Sequence, residues 1–111
     1  MIAVRVSDTI IRALADTGAA QSLIEPELVR QLGLTTAGTQ LIVGLGTTPF
    51  SVRLVTLDSV IIGRCPLHAF TAGITDLAHL RLGIQLVLGI NAFRGYRLQF
   101  DLAEGHLYLL A

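Results

Sequence analysis

A chain of 111 residues, 52% hydrophobic and only 14% charged, with a formal net charge of zero and a mean hydropathy of +0.68, is of single-domain size and more apolar than soluble domains, which average about 25% charged. Folding a chain of this length removes roughly two-thirds of its unfolded surface from water, so no disulfide or metal staple is needed. The charge-free stretch from Gln31 to Val52 is broken by Gly, Thr and Pro, which excludes a run of about 18 apolar residues across a bilayer and leaves a covering partner subunit as the explanation of the apolar excess.

In chain order, Ile2–Val6 and Ile10–Ala15 are apolar stretches separated by the turn-forming trio Ser7-Asp8-Thr9, a pattern that predicts a β-hairpin. Pro26 stands at a first helical position, Glu25 and Glu27 at the start and Gly33 at the stop of one short helix. From Thr39 the pattern returns to strands. QLIVG and FSVRLVTL flank a tip at Gly44-Leu45-Gly46, which predicts a second hairpin. SVIIG and PLHAFTAG read as two further strands turning at Gly63-Arg64, with residues 74–83 as a loop. QLVLG is a fully apolar strand, INAFRG a helical turn, YRLQFD an alternating strand, LAEG a turn and HLYLL a last strand. The expected class is all-β with one or two short helices, in a single domain over residues 1–111.

Several chemistries are excluded by what is missing. Charges of both signs are dispersed, so no nucleic-acid or membrane-surface footprint exists. All eight basic residues are Arg, which rules out Schiff-base and P-loop lysines. Cys65 stands alone, and His68, His79 and His106 are too dispersed for a helical two-His zinc motif. No serine occupies a nucleophile elbow, and Gly44-Leu45-Gly46 lacks the third glycine of a nucleotide loop. No cofactor or metal is expected. The start of the chain has no basic, apolar and cleavage-site succession, so the default expectation is a cytoplasmic protein.

The stretch ALADTGAAQSLI, residues 13–24, sets an Asp after three small or apolar residues and follows it with Thr-Gly-Ala. By itself an Asp-Thr-Gly is commonly structural, because Asp accepts backbone hydrogen bonds in turns. Three more segments follow in order: PELVRQLGL, VGLGTTPF and LVLGINAFRGYRLQFDLAEGHLYL. Together these blocks resemble the retroviral-type (retropepsin-like) aspartic proteases over nearly the whole chain. The resemblance implies the single-lobe acid-protease fold closed as a symmetric homodimer. It implies Asp16 as the catalytic carboxylate and Thr17, Gly18 and Ala19 as the rest of the active-site loop. Gly44, Leu45 and Gly46 would be the tip of a flap closing on a peptide or protein substrate. It further implies that the termini of the two protomers interleave, through Ile2–Val4 and Leu107–Leu110. Ala20-Gln21 and Ile90-Asn91 depart from the residues more usual in retroviral members.

Amide hydrolysis needs one group to take a proton from water and another to donate one. Two carboxylates sharing a proton do both, as is established for aspartic proteases. Two unit charges about 3 Å apart at an effective dielectric near 20 repel by roughly 5 kcal/mol, so such a pair holds one proton between them. Only Asp16 has the Thr-Gly continuation; Asp8, Asp58, Asp76 and Asp101 lack it. The second carboxylate therefore has to come from another subunit, across a self-complementary interface. Two other readings stay open on the sequence: a catalytically inactive relative kept as a dimerising or peptide-binding module, with Thr47-Thr48-Pro49 stiffening the tip, and an unrelated β-sandwich with a chance Asp-Thr-Gly.

Overall fold

The computed structural model describes residues 1–42, 49–78 and 83–110. β1 (Ile2–Val6) and β2 (Thr9–Ala15) form the first hairpin, with Val6 opposite Thr9 and Ser7 in the left-handed region at φ 54°. Val4, Val6, Ile11 and Ala13 are buried while Arg5, Ile10 and Arg12 are exposed, the two-residue alternation of a half-covered sheet. A three-residue strand, β3 (Ser22–Ile24), follows the Asp16 loop. Sequence patterning did not mark it, because three residues are too few to establish a period.

Helix α1 (Pro26–Leu32) has Pro26 in its first turn and stops at Gly33, whose φ of 63° suits a residue without a Cβ. Its Leu28 is fully buried. β4 (Thr36–Ile42) and β5 (Phe50–Leu57) pair antiparallel. β6 (Val60–Ile62) turns at Gly63-Arg64 into the two-residue β7 (Cys65–Pro66). PLHAFTAG is thus not one strand. The Leu67 N–H, donating to the Val60 carbonyl, carries the β6–β7 register one pair further, and β8 (Phe70–Ile74) begins only after it. β9 (Leu86–Leu88) leads into a 3-10 helix, Ile90–Phe93, and the chain closes with β10 (Arg97–Asp101) and β11 (His106–Leu110).

Among the described residues, nine strands form one sheet in the order β4-β5-β8-β3-β9-β2-β1-β6-β7, and β10-β11 form a second. β5 and β6 stand near opposite ends of the larger sheet, yet Val55 and Leu57 share one cluster with Val60, Val4 and Leu88. The sheet must therefore curl around a common core. β9 lies between β2, which it meets in parallel, and β3, which it meets antiparallel. Leu86 is flanked in register by Ala13 and Ile24, all three inaccessible to solvent. On the other face Val87 stands between Leu14 and Leu23 and packs with Leu77 and Ile84. Burial on both faces explains why this strand has no polar residue. Leu86→Ala is expected to lower stability by about 2–5 kcal/mol, whereas Leu102→Ala, at the exposed hairpin tip, should stay within about 0.5 kcal/mol of the parent; equilibrium urea unfolding distinguishes the two.

Candidate active site

Asp16 is the first residue beyond β2, and its position follows from the sheet order. The chain leaves β2, crosses the end of β9, and re-enters the sheet as β3 on the far side. The loop 16–21 is therefore strung over one intervening strand. Its near end is fixed by the Asp16 N–H donating to the Leu88 carbonyl at 2.9 Å, continuing the β2–β9 ladder. Within the loop the Ala19 N–H donates to the Asp16 carbonyl at 3.1 Å. The Gly18 N–H donates to Oδ1 of the Asp16 carboxylate at 3.0 Å. A Cβ on Gly18 would stand 3.2 Å from the same oxygen, so the glycine keeps the carboxylate uncrowded. Asp16, Thr17 and Gly18 are exposed and Ala19 is half-buried.

The strand beneath is fitted to the loop. The Ile90 N–H donates to the Ala19 carbonyl at 2.8 Å. A Cβ on Gly89 would lie 2.7 Å from that carbonyl oxygen and 2.9 Å from that of Gln21. The φ of −83° at Gly89 is open to any residue; it is the space, not backbone freedom, that demands glycine here.

A polar cluster fixes the far end. Ser22 is fully buried, with its N–H and hydroxyl donating to Asn91 Oδ1 at 2.9 and 2.8 Å. The Ser22 hydroxyl oxygen accepts the Gly89 N–H at 3.0 Å. Asn91 Nδ2 donates to the Thr71 carbonyl at 2.8 Å. Gln21 Nε2 donates to the same carbonyl at 2.9 Å and to the Thr71 hydroxyl at 3.1 Å. No buried side-chain polar atom among the described residues lacks a partner, which is what makes such a cluster rigid rather than costly. These residues were not singled out as a site from sequence. The signals were present in a serine inside an otherwise apolar SLI and in Asn91 following Gly89, but their partners are 20 to 69 residues apart in the chain.

Asp16, Thr17, Gly18 and Ala19 are thus together on one surface loop. Gly44, Leu45 and Gly46 lie outside the described residues. A cavity of about 530 Å³ is lined by Ala20, Ile90, Asn91, Arg94 and Tyr96, among others, but not by Asp16. Leu14 and Leu23, half-buried on either side of Val87, flank the loop with apolar surface. No described helix is long and apolar enough to cross a membrane.

Comparison with known proteins bears on the family and the fold. A family model described as aspartyl protease matches residues 2–92. Among solved structures, a retropepsin-like aspartic protease from Rickettsia conorii superposes with a TM-score of 0.60 at 23% identity, covering 98% of this chain and 87% of that one. No curated protein matches. Gly89→Ala should displace the loop and cost about 1–3 kcal/mol through overpacking. Asn91→Ala, which strips Ser22 of its acceptor, should cost about 1–3 kcal/mol as well. Urea titrations of both variants beside the parent check these values.

Proposed function

The chain belongs to the aspartyl protease family, and on that premise we propose that it is an aspartic endopeptidase whose dyad is two copies of Asp16 brought together in a homodimer. The observation that carries this reading is the loop itself. A solvent-facing carboxylate is held by the Gly18 N–H, on a segment anchored at both ends to β9 and to the turn after it. Anchoring of this kind places a reacting group without a reorganisation cost at the moment of reaction.

With two such carboxylates sharing one proton, the ionised member takes a proton from a water as its oxygen attacks the substrate carbonyl carbon. The protonated member gives its proton to the carbonyl oxygen. The first carboxyl then gives the proton it took to the departing amide nitrogen as the C–N bond breaks, while the second takes one back from a hydroxyl of the tetrahedral intermediate, and the pair regains its starting state. The exposed hydroxyl of Thr17, which hydrogen-bonds to no described residue, would tie the two loops across the axis. Ala19 carries the carbonyl that braces the loop from beneath. An extended substrate suits such a site, because its backbone can pair with floor and flap while side chains enter alternate pockets. Gly44, Leu45 and Gly46 are the candidates for the flap. The half-buried Leu14 and Leu23 beside the loop favour apolar side chains near the scissile bond.

Asp16→Asn keeps the shape of the side chain and removes its ionisable proton. Cleavage of denatured casein or a peptide library between pH 4 and 7 should fall by roughly 10⁴-fold or more, with an unchanged circular dichroism spectrum. A variant that cleaves as well as the parent would place the chemistry elsewhere. A parent chain that cleaves nothing across that range would favour a peptide-binding module.

A further inference from the structure

Resting on the peptidase reading, we infer that the cavity beyond the far end of the active-site loop is a recognition site for an acidic side chain of the substrate, with Arg94 as its cation. The cavity measures about 530 Å³ and is lined in part by Ala20, in the loop that begins at Asp16. Pockets that seat a ligand are of this size and join apolar walls to a few polar groups. Here the walls are Ala20, Ile90, Phe93 and Leu98. Ile90 is 57% exposed although it stands just beyond the buried strand β9, so this wall is open to a ligand.

Arg94 is presented by a rigid turn. The Tyr96 N–H donates to the Phe93 carbonyl at 3.0 Å, Arg94 has φ −57° and ψ 130°, and Gly95 has φ 88°. These are the angles of a type II turn, with glycine where a positive φ is required. The turn is also braced: the Tyr96 hydroxyl donates to the Pro66 carbonyl at 2.7 Å, and His68 Nε2 lies 3.1 Å from where a Cβ on Gly95 would stand. The Arg94 guanidinium makes no ion pair or hydrogen bond with a described residue; the ion pair among them is that of Arg30 with Glu27. Asn91, also in the lining, gives one Nδ2 hydrogen to the Thr71 carbonyl and keeps the other. Among the described residues no carboxylate lines the cavity. Donors with no acid beside them select an anion, and a guanidinium grips a carboxylate through two parallel hydrogen bonds.

The site is tied to the reacting carboxylate by its construction. From Asp16 to Ala20 the chain spans at most about 14 Å, and an extended peptide advances about 3.3 Å per residue. An acidic side chain seated in the cavity therefore belongs to a substrate residue within about four positions of the scissile bond. The floor is the same 3-10 helix that supports the loop, where the Ile90 N–H holds the Ala19 carbonyl and Asn91 holds Ser22. A substrate residue lodged there is thus held in register with Asp16. In a homodimer the two-fold axis repeats the cavity beyond the other carboxylate. The preferred substrate then carries an acidic residue on each side of the bond that is cut.

Cleavage-site profiling of a peptide library at about pH 6, where a peptide glutamate of ordinary pKa about 4.3 is ionised, tests the assignment. The parent should enrich Glu and Asp over Gln and Asn within about four positions on both sides of the cut, by roughly threefold to tenfold, with the effect in KM rather than kcat. Arg94→Gln should erase the enrichment, and Arg94→Glu should turn it into one for Arg and Lys with an unchanged circular dichroism spectrum. Arg30→Glu, on α1 and outside the cavity lining, should keep the parent's profile. A parent that cleaves without acidic enrichment, or an Arg94→Glu profile that does not invert, overturns the site and spares the peptidase reading. If the parent cleaves nothing, fluorescence anisotropy with labelled Glu-bearing and Lys-bearing peptides decides. Tighter binding of the Glu peptide, reversed in Arg94→Glu, upholds the site while the peptidase reading falls; equal binding sinks both. An Arg94→Glu chain that sediments as a weaker dimer yet keeps the parent's profile gives the cavity to the second copy and overturns the proposal.

Discussion

The close approach of Gly89 to the loop above it is the contact on which the rest of the structure turns. A strand inserted between β2 and β3 forces the chain carrying Asp16 to pass over its end, and the clearance left is less than one methyl group. Everything that orients the carboxylate is arranged about that crossing. Leu88 holds the near end, Ile90 props the middle, and the Ser22–Asn91–Thr71 cluster holds the far end. Because β9 is also buried along its whole length, the Asp16 carboxylate is mounted on a closely packed strand rather than on a free loop.

That mounting links stability and function in an unusual way for an exposed residue. Asp16 itself buries little and its removal should leave the fold intact, while its neighbours below the loop are packed and hydrogen-bonded to completion. The polar groups in this layer are tolerated inside an apolar sheet because every one has a partner. Ser22 shows the point. It is the one buried polar residue of the described core, and both its backbone and its side chain are spoken for by Asn91.

Much of this was legible in the sequence where short-range physics decides the outcome. The first hairpin, the Pro26–Leu32 helix and the final hairpin have turn residues, caps and alternation within a few positions of one another. The Asp-Thr-Gly stretch, taken with the blocks after it, led to the retropepsin-like fold that the comparison supports. What did not show was anything fixed by distant partners. β3 is a strand only because β8 and β9 flank it. PLHAFTAG divides after Leu67 because its first residues pair with β6 while Phe70–Ile74 pair with β5 and β3.

The covalent path from Asn91 to Arg97 is short, and its first residue is clamped to the floor of the loop while its last begins the outermost hairpin. A lever so brief transmits dimension faithfully: one residue added to it would shift the outer hairpin against the carboxylate, whereas additional residues at the Leu102–Gly105 turn would merely lengthen a tip. Loop-length drift among descendants of this chain should therefore accumulate at one end of the hairpin and be purged from the other.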